Sequence, residues 1–226
     1  DKLKGNKKKN FKFISVSTDE VYGSLDSNDF FNEKSQYMPN SPYSASKASS
    51  DHLVRAWYKT YGLPTIITNC SNNYGPFQYP EKLIPLTIIN AIRLKKIPIY
   101  GDGRQIRDWL HVKDHVDALL KIGETGNIGT SYVIGGDCQI SNLDVIKRIC
   151  AILDKLKPLK SSKNRFQDLV KFVKDRPGHD KRYAIDFSKL SSEIGWSPKI
   201  SFDQGLLDTE NWYLYNQNWW KIFFHY

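Results

Sequence analysis

Two acidic residues stand together at the end of an apolar run in ISVSTDEVYG, residues 14–23. A strand over 11–16 leads into Ser17, Thr18, Asp19 and Glu20. Adjacent carboxylates at the mouth of a buried strand are costly unless they are solvated or used. A second candidate lies in SPYSASKASSDHLVRAWYKTYG, where Tyr43 and Lys47 are four residues apart on a predicted helix. That spacing puts them on one face, one turn from each other. An ammonium beside a phenol favours the phenolate and lowers the tyrosine pKa. Such a pair can take a proton from an alcohol while hydride leaves the same carbon. Taken alone, a Tyr-x-x-x-Lys spacing arises often by chance, and an acidic turn also serves as a helix cap or a solvated loop.

The elements around these groups read as a parallel α/β unit. Ser41 or Ser44 can cap the helix with Pro42 early in it, Leu53, Val54, Trp57 and Tyr61 recur at helical spacing, and Gly62 and Pro64 end it. LPTIITNC follows as a strand apolar enough to be buried on both faces. Strand, helix, strand at this spacing predicts parallel pairing. Next come a turn-rich loop (NNYGPFQYPEKL), a helix over 83–94, and two strands in IPIYGDG and RDWLHV. Asp114 is placed to cap the helix HVDALLKIG. A strand in TSYVIGG, a helix over 143–156 capped by Ser141 or Asn142, and a helix from Ser188 to Gly195 complete the order. Residues 155–163, rich in Lys and Ser, read as a mobile loop.

Composition narrows the classes. A chain of 226 residues with 40% hydrophobic and 25% charged residues is globular. No apolar run reaches the ~20 residues a membrane span requires, and the basic, polar start reads as no signal peptide. Cys70, Cys138 and Cys150 match no zinc spacing and read as free thiols of a reducing, cytoplasmic compartment. The net charge of +9 is spread along the chain, and its densest group, Lys7, Lys8 and Lys9, reads as a solvated loop. A small anion such as a nucleotide diphosphate suits that charge better than nucleic acid. No G-x-G-x-x-G or G-x-x-G-x-x-G follows any strand. Either no dinucleotide binds, or the part that grips its pyrophosphate is not in this chain.

Taken together, STDEVYG, YSASK, NCSNNYGPFQYPEKLIP, GDGRQIRDWLHVKD, SNLD and DRPGHDKRYAID closely resemble the dTDP-glucose 4,6-dehydratase family of extended short-chain dehydrogenases/reductases. The likeness runs from about Phe11 to Trp212, in the family's order. It implies an α/β fold: a Rossmann-type parallel sheet, lacking its N-terminal NAD-binding βα units, interwoven with a smaller nucleotide-sugar-binding domain. The expected division is 1–70 and 108–130 for the former, 71–107 and 131–226 for the latter. A sheet so shortened exposes a strand edge, which predicts a chain less stable than a longer parent.

The resemblance also implies a reaction: oxidation at C4 of the sugar with NAD, loss of water across C5 and C6, and hydride return to C6. Tyr43 is then the base at the C4 hydroxyl, Lys47 tunes it and touches the nicotinamide ribose, and Thr18 bonds the C4 oxygen. Glu20 takes the C5 proton and Asp19 protonates the departing C6 hydroxyl, two carboxyls held in different protonation states. Adjacent like charges raise one pKa of such a pair. By the same likeness Asn72, Lys82, Leu83, Pro98, Tyr100, Arg107, Asn142, Arg176 and His179 hold the nucleotide sugar, and Asn73 lies near the nicotinamide. Arg107 and Arg176 suit a diphosphate, and Tyr100 offers an aromatic wall. The plainer readings are a surface ion pair for Arg107, a loop histidine for His179 and a helix cap for Asn142. Trp212, Trp219 and Trp220 read as packing. No metal, nucleic acid or membrane partner is implied, and a homodimer pairing through helices such as the Tyr43 helix is. Asp-Glu at 19–20 favours dehydration over 4-epimerisation, leaves dTDP-glucose and UDP-glucose both open, and leaves a nucleotide-sugar-binding chain without activity as the other class.

Overall fold

A computed structural model describes residues 11–26, 28–160 and 165–224. The lysine group at 7–9 and positions 161–163 of the expected mobile loop lie outside the described residues. The chain starts with strand β1 (Phe13–Thr18), two residues later than the apolar run suggests, and passes directly into a 3-10 turn, Asp19–Tyr22. Helix α1 (Pro42–Tyr61) follows, with the expected caps: Ser41 and Ser44 form a reciprocal capping box, and Gly62 ends the helix in the left-handed conformation. Strand β2 (Thr65–Cys70) pairs parallel with β1 from Phe13↔Thr65 to Thr18↔Cys70.

The face of α1 turned to the sheet carries Ser44, Ala48 and Asp51. Leu53, Trp57 and Tyr61, whose spacing marked the helix, are 62%, 52% and 70% exposed. The periodicity therefore reported a real helix but an outward apolar stripe.

Short β3 (Asn72–Tyr74) leads to α2 (Leu83–Ile92), β4 (Ile97–Tyr100) and β5 (Ile106–His111). Helix α3 (Val112–Thr125) is capped by His111, whose Nδ1 accepts the Lys113 N–H at 3.3 Å. Asp114 is not that cap. It is buried in the first turn, and its Oδ2 accepts the N–H groups of Lys199 and Ile200 at 3.1 and 2.9 Å. Then come β6 (Ser131–Ile134), β7 (Gln139–Ser141), α4 (Asn142–Leu156) and β8 (Val170–Val173). Residues 155 and 156 belong to α4 rather than to a loop. Helices α5 (Ser188–Ile194), α6 (Phe202–Tyr215) and α7 (Gln217–Lys221) close the chain, and Gly195 ends α5 as expected.

Among the described residues three sheets form. The first is parallel, in the order β1-β2-β6. Its third strand, Ser131–Ile134, lies just past the boundary at 130 drawn from the sequence. Strand β1 is one of its two edges, with Phe13 and Val16 exposed. The second sheet runs β3-β5-β7, with β5 and β7 antiparallel, and the third pairs β4 with β8. The largest core joins α2, α4 and α6 around Ile88, Ile149 and Leu206. Trp220 is buried there with its indole N–H on the Tyr213 carbonyl, and Trp212 and Trp219 pack against the same core, as expected. A smaller core around Val21, Tyr22 and Ala48 backs the acidic turn.

Candidate active site

The acidic turn is held from three sides. Thr18 caps it, its Oγ1 accepting the Glu20 N–H and donating to Asp19 Oδ1, both at 3.3 Å. Gly23 closes it at φ 84°, where a Cβ would stand 2.4 Å from the Met38 carbonyl oxygen, so no other residue fits. Behind it, Asp51 Oδ2 accepts from Ser17 Oγ at 2.8 Å, Tyr37 OH at 3.0 Å and Asn69 Nδ2 at 3.1 Å. Asn69 Nδ2 also donates to the Thr18 carbonyl at 3.2 Å.

This framing gives the two carboxyls different characters. Asp19 is 2% exposed, and its Oδ2 has no partner among the described residues. Burial pushes it well above the usual carboxylate range, Glu20 and Asp108 add to that, and Arg107 opposes it. Glu20 is less buried. Burial raises it too, but Arg176 and Arg107 pull it back. The pair is therefore graded, with the proton held more firmly on Asp19.

Tyr43 and Lys47 extend from α1 beside the turn. The Lys47 ammonium donates to the Val16 carbonyl at 2.8 Å. Tyr43 is 56% exposed. Its phenol is raised, first by burial of its inner part and then by Glu20, Cys70 and Asp19. The sequence suggests the opposite direction. In the fold burial of the phenol decides the direction, with Glu20 next, while the Lys47 ammonium is bonded to the Val16 carbonyl.

Beside the turn opens a cavity of about 680 Å³. Glu20 reaches it, as do all ten residues that the resemblance placed around sugar and nicotinamide; Thr18, Asp19, Tyr43 and Lys47 do not line it. Asn72 and Asn73 come from β3, and each has a buried amide oxygen without a partner among the described residues. Lys82 and Leu83 stand at the start of α2, a helix end that no side chain caps, so its first N–H groups are open to an anion. Pro98 and Tyr100 come from β4. Asn142 is the first residue of α4 rather than its cap; Ser141 caps, accepting the Asp144 N–H at 3.1 Å. Arg107 is 4% exposed, not a surface ion-pair partner. Arg176 follows β8, and His179 Nδ1 lies 2.7 Å from Asp175 Oδ1. Burial lowers the His179 pKa despite that carboxylate.

Other lining residues were given no role in the sequence reading. Gln78, whose Nε2 donates to the Asn73 carbonyl at 2.8 Å, and Tyr79 sit in a turn-rich loop within a motif that carries the resemblance. Trp109 read as a strand residue, and Phe223 arrives from the far end of the chain.

A parallel sheet with the Tyr-Lys helix laid on its first strand and a polar turn at the strand's carboxyl end is the arrangement of Rossmann-type short-chain dehydrogenases/reductases. The sequence profile described as GDP-mannose 4,6 dehydratase matches residues 2–209, and the chain belongs to that family. It is 56% identical over 213 residues to a dTDP-glucose 4,6-dehydratase of Neisseria meningitidis serogroup B, covering 93% of this chain and 60% of that protein. A dTDP-glucose 4,6-dehydratase from Bacillus anthracis, solved in complex with NAD, superposes with a TM-score of 0.85 at 49% identity, over 93% of this chain and 64% of that one. Another, from Streptomyces venezuelae with NAD and TYD bound, gives 0.86 at 43% identity, over 93% and 62%. The family expected from the motifs is thus borne out. The chain spans about three fifths of the length of these relatives.

Proposed function

We propose that this chain carries the sugar-handling part of an NAD-dependent 4,6-dehydratase acting on a nucleotide-activated glucose, dTDP-glucose first. One observation carries the reading. The turn with a buried Asp19, its pKa raised well above the usual carboxylate range, and a Glu20 that Arg176 and Arg107 pull back opens, through Glu20, into a cavity lined by Arg107, Arg176, Lys82 and the uncapped start of α2. Cations and open helix N–H groups suit a diphosphate, and graded carboxyls suit an elimination.

In this reading the nucleotide lies along β4 and the start of α2, against Pro98, Tyr100, Leu83 and Asn142. Asn72, Arg176 and His179 hold the diphosphate sugar from the other wall. The Tyr43 oxygen, ionised to the phenolate, takes the proton of the C4 hydroxyl while Thr18 bonds the same oxygen. With C4 a ketone, the C5 proton is acidic, and Glu20 removes it. Asp19 delivers its proton to the C6 hydroxyl, which leaves as water.

The residues present fit the nicotinamide end of NAD. Asn73 Oδ1 is a buried acceptor without a partner among the described residues, and Tyr43 and Lys47 face the same side of α1. When bound, NAD supplies the hydride acceptor and donor. No glycine-rich turn in these 226 residues suits its pyrophosphate.

The division into 1–70 with 108–130 and 71–107 with 131–226 is part of the same proposal. So is a homodimer, supported by the exposed Leu53, Trp57 and Tyr61 on α1. A cytoplasmic setting is supported by three free thiols; among the described residues no helix is long and apolar enough to cross a membrane. The test is the mass of the product formed from dTDP-glucose, then UDP-glucose, with NAD. Loss of one water is expected. An unchanged mass with inverted C4 makes the protein an epimerase, and binding without any product makes this chain a nucleotide-sugar-binding protein without turnover.

A further inference from the structure

Arg107 is held more firmly than a ligand-binding arginine needs to be for packing alone. Its Nη1 donates to the Ile106 carbonyl at 2.8 Å and its Nη2 to the Asp180 carbonyl at 2.9 Å. Its guanidinium carbon lies 4.3 Å from the centre of the Tyr183 ring, within cation–π range. Tyr183 is 3% exposed, and its hydroxyl donates to Asp180 Oδ2; the other oxygen of Asp180 accepts from Asn40 Nδ2 at 2.7 Å. Asn40 directly precedes the cap of α1. The main chain is zipped as well, with Tyr183 N donating to the Ile106 carbonyl at 3.1 Å and Ile106 N to the Lys181 carbonyl at 2.8 Å. A guanidinium has five donors, and two are spent on these carbonyls. Three remain, and Arg107 lines the cavity.

We propose that Tyr183 is a positioning residue for Arg107: its ring, fixed through Asp180 and Asn40, holds the guanidinium with its free edge turned into the cavity, set for the diphosphate of the ligand. This rests on the nucleotide-sugar reading above. It adds that affinity for the diphosphate depends on a side chain that does not itself line the cavity, and that the lock joins the anion site to the start of the Tyr43 helix. Pre-fixing a rotamer-rich cation lowers the ordering cost of binding.

Calorimetric titration of the chain with dTDP and with thymidine tests it. R107A loses about tenfold or more of its affinity for dTDP, the scale of a charge-assisted hydrogen bond, and little for thymidine. Y183L shows the same selective loss, Y183F retains most of the affinity because the ring stays, and the R107A/Y183L double variant is no worse than R107A. Equal losses for dTDP and thymidine in Y183L, or losses that multiply in the double variant, overturn the proposal in favour of simple packing. If Y183L does not fold, NMR of the Arg107 guanidinium decides instead. Restricted rotation in the wild type, kept in Y183F because the ring stays, supports the lock; free rotation in the wild type or in Y183F overturns it. A wild type with restricted rotation that takes up no dTDP overturns the nucleotide reading, and with it the ligand assigned to the lock.

Discussion

Lys47 and Val16 are joined by a 2.8 Å hydrogen bond from the ammonium to the main-chain carbonyl, fixing the Tyr43 helix to the strand that bears the acidic turn. One helical turn on, Asp51 repeats the link through Ser17 Oγ at 2.8 Å. Consecutive turns of α1 thus bolt to consecutive residues of β1. The separation of the phenol from the two carboxyls is set by side chain to strand bonds, not by helix packing alone.

Asp51 carries more of this than Lys47. Its Oδ2 collects Ser17, Tyr37 and Asn69, and Asp51 is 1% exposed. D51A removes the acceptor shared by the buried Ser17 and Asn69 and the half-buried Tyr37, with an expected cost on the order of 3 kcal/mol. D51N keeps one acceptor oxygen and costs roughly half of that. Urea midpoints at constant m-value measure both. An unchanged midpoint for D51A refutes the bolt.

Glu210 bears on stability and not on the site. It is fully buried on α6, neither carboxyl oxygen has a partner among the described residues, and burial pushes its pKa from 4.5 to about 9. The folded chain therefore holds a proton that the unfolded chain releases above the ordinary carboxylate range. Stability is highest below about pH 4.5 as far as this group is concerned, and it declines as pH rises toward about 9. E210L removes that slope and stabilises the chain at pH 7 by roughly 2–3 kcal/mol. Denaturation midpoints at pH 5, 7 and 9 read the effect. A wild type and variant whose midpoints differ by the same amount at every pH contradict it.

The graded carboxyls predict the pH dependence of turnover. In the proposed reaction Glu20 works ionised and Asp19 protonated, and both are raised above the usual range, Asp19 further. The rate then rises with pH as Glu20 loses its proton and falls again as Asp19 does, giving a bell. E20Q and D19N each lower the rate by about two to four orders of magnitude. Measurement of kcat/KM across pH checks this, and a profile that climbs without a descending limb removes Asp19 as the acid.

Much of this was legible in the sequence, for identifiable reasons. The caps at Ser41 and Gly62, the doubly buried β2 and the end of α5 at Gly195 are local chemistry, and they fold as read. The ten residues around the cavity were legible through family motifs. Bonds that join distant segments were not. Asp114 looked like a cap because capping is a local rule, yet its partners lie at 199 and 200. The Asp51 hub and the Tyr183 lock draw on residues spread over β1, β2 and the segment before α5, which no spacing reveals. The direction of the Tyr43 shift was misread because Lys47 was paired with it by helix geometry, while the burial that raises it, and Glu20 which adds to it, come from the fold around the helix. The apolar stripe of α1 gave the right helix, and its exposure needed the fold.

The central claim is that Glu20 takes the C5 proton and Asp19 gives one to the departing C6 hydroxyl. Turnover of dTDP-glucose with NAD in heavy water, read by mass spectrometry and NMR of the product, tests this most directly. Glu20 faces the open cavity, where an abstracted proton exchanges with solvent. The account predicts a product lighter by one water with one solvent deuterium at C5, and none of it from E20Q. A product that keeps its oxygen, or one formed at the wild-type rate by E20Q, contradicts it.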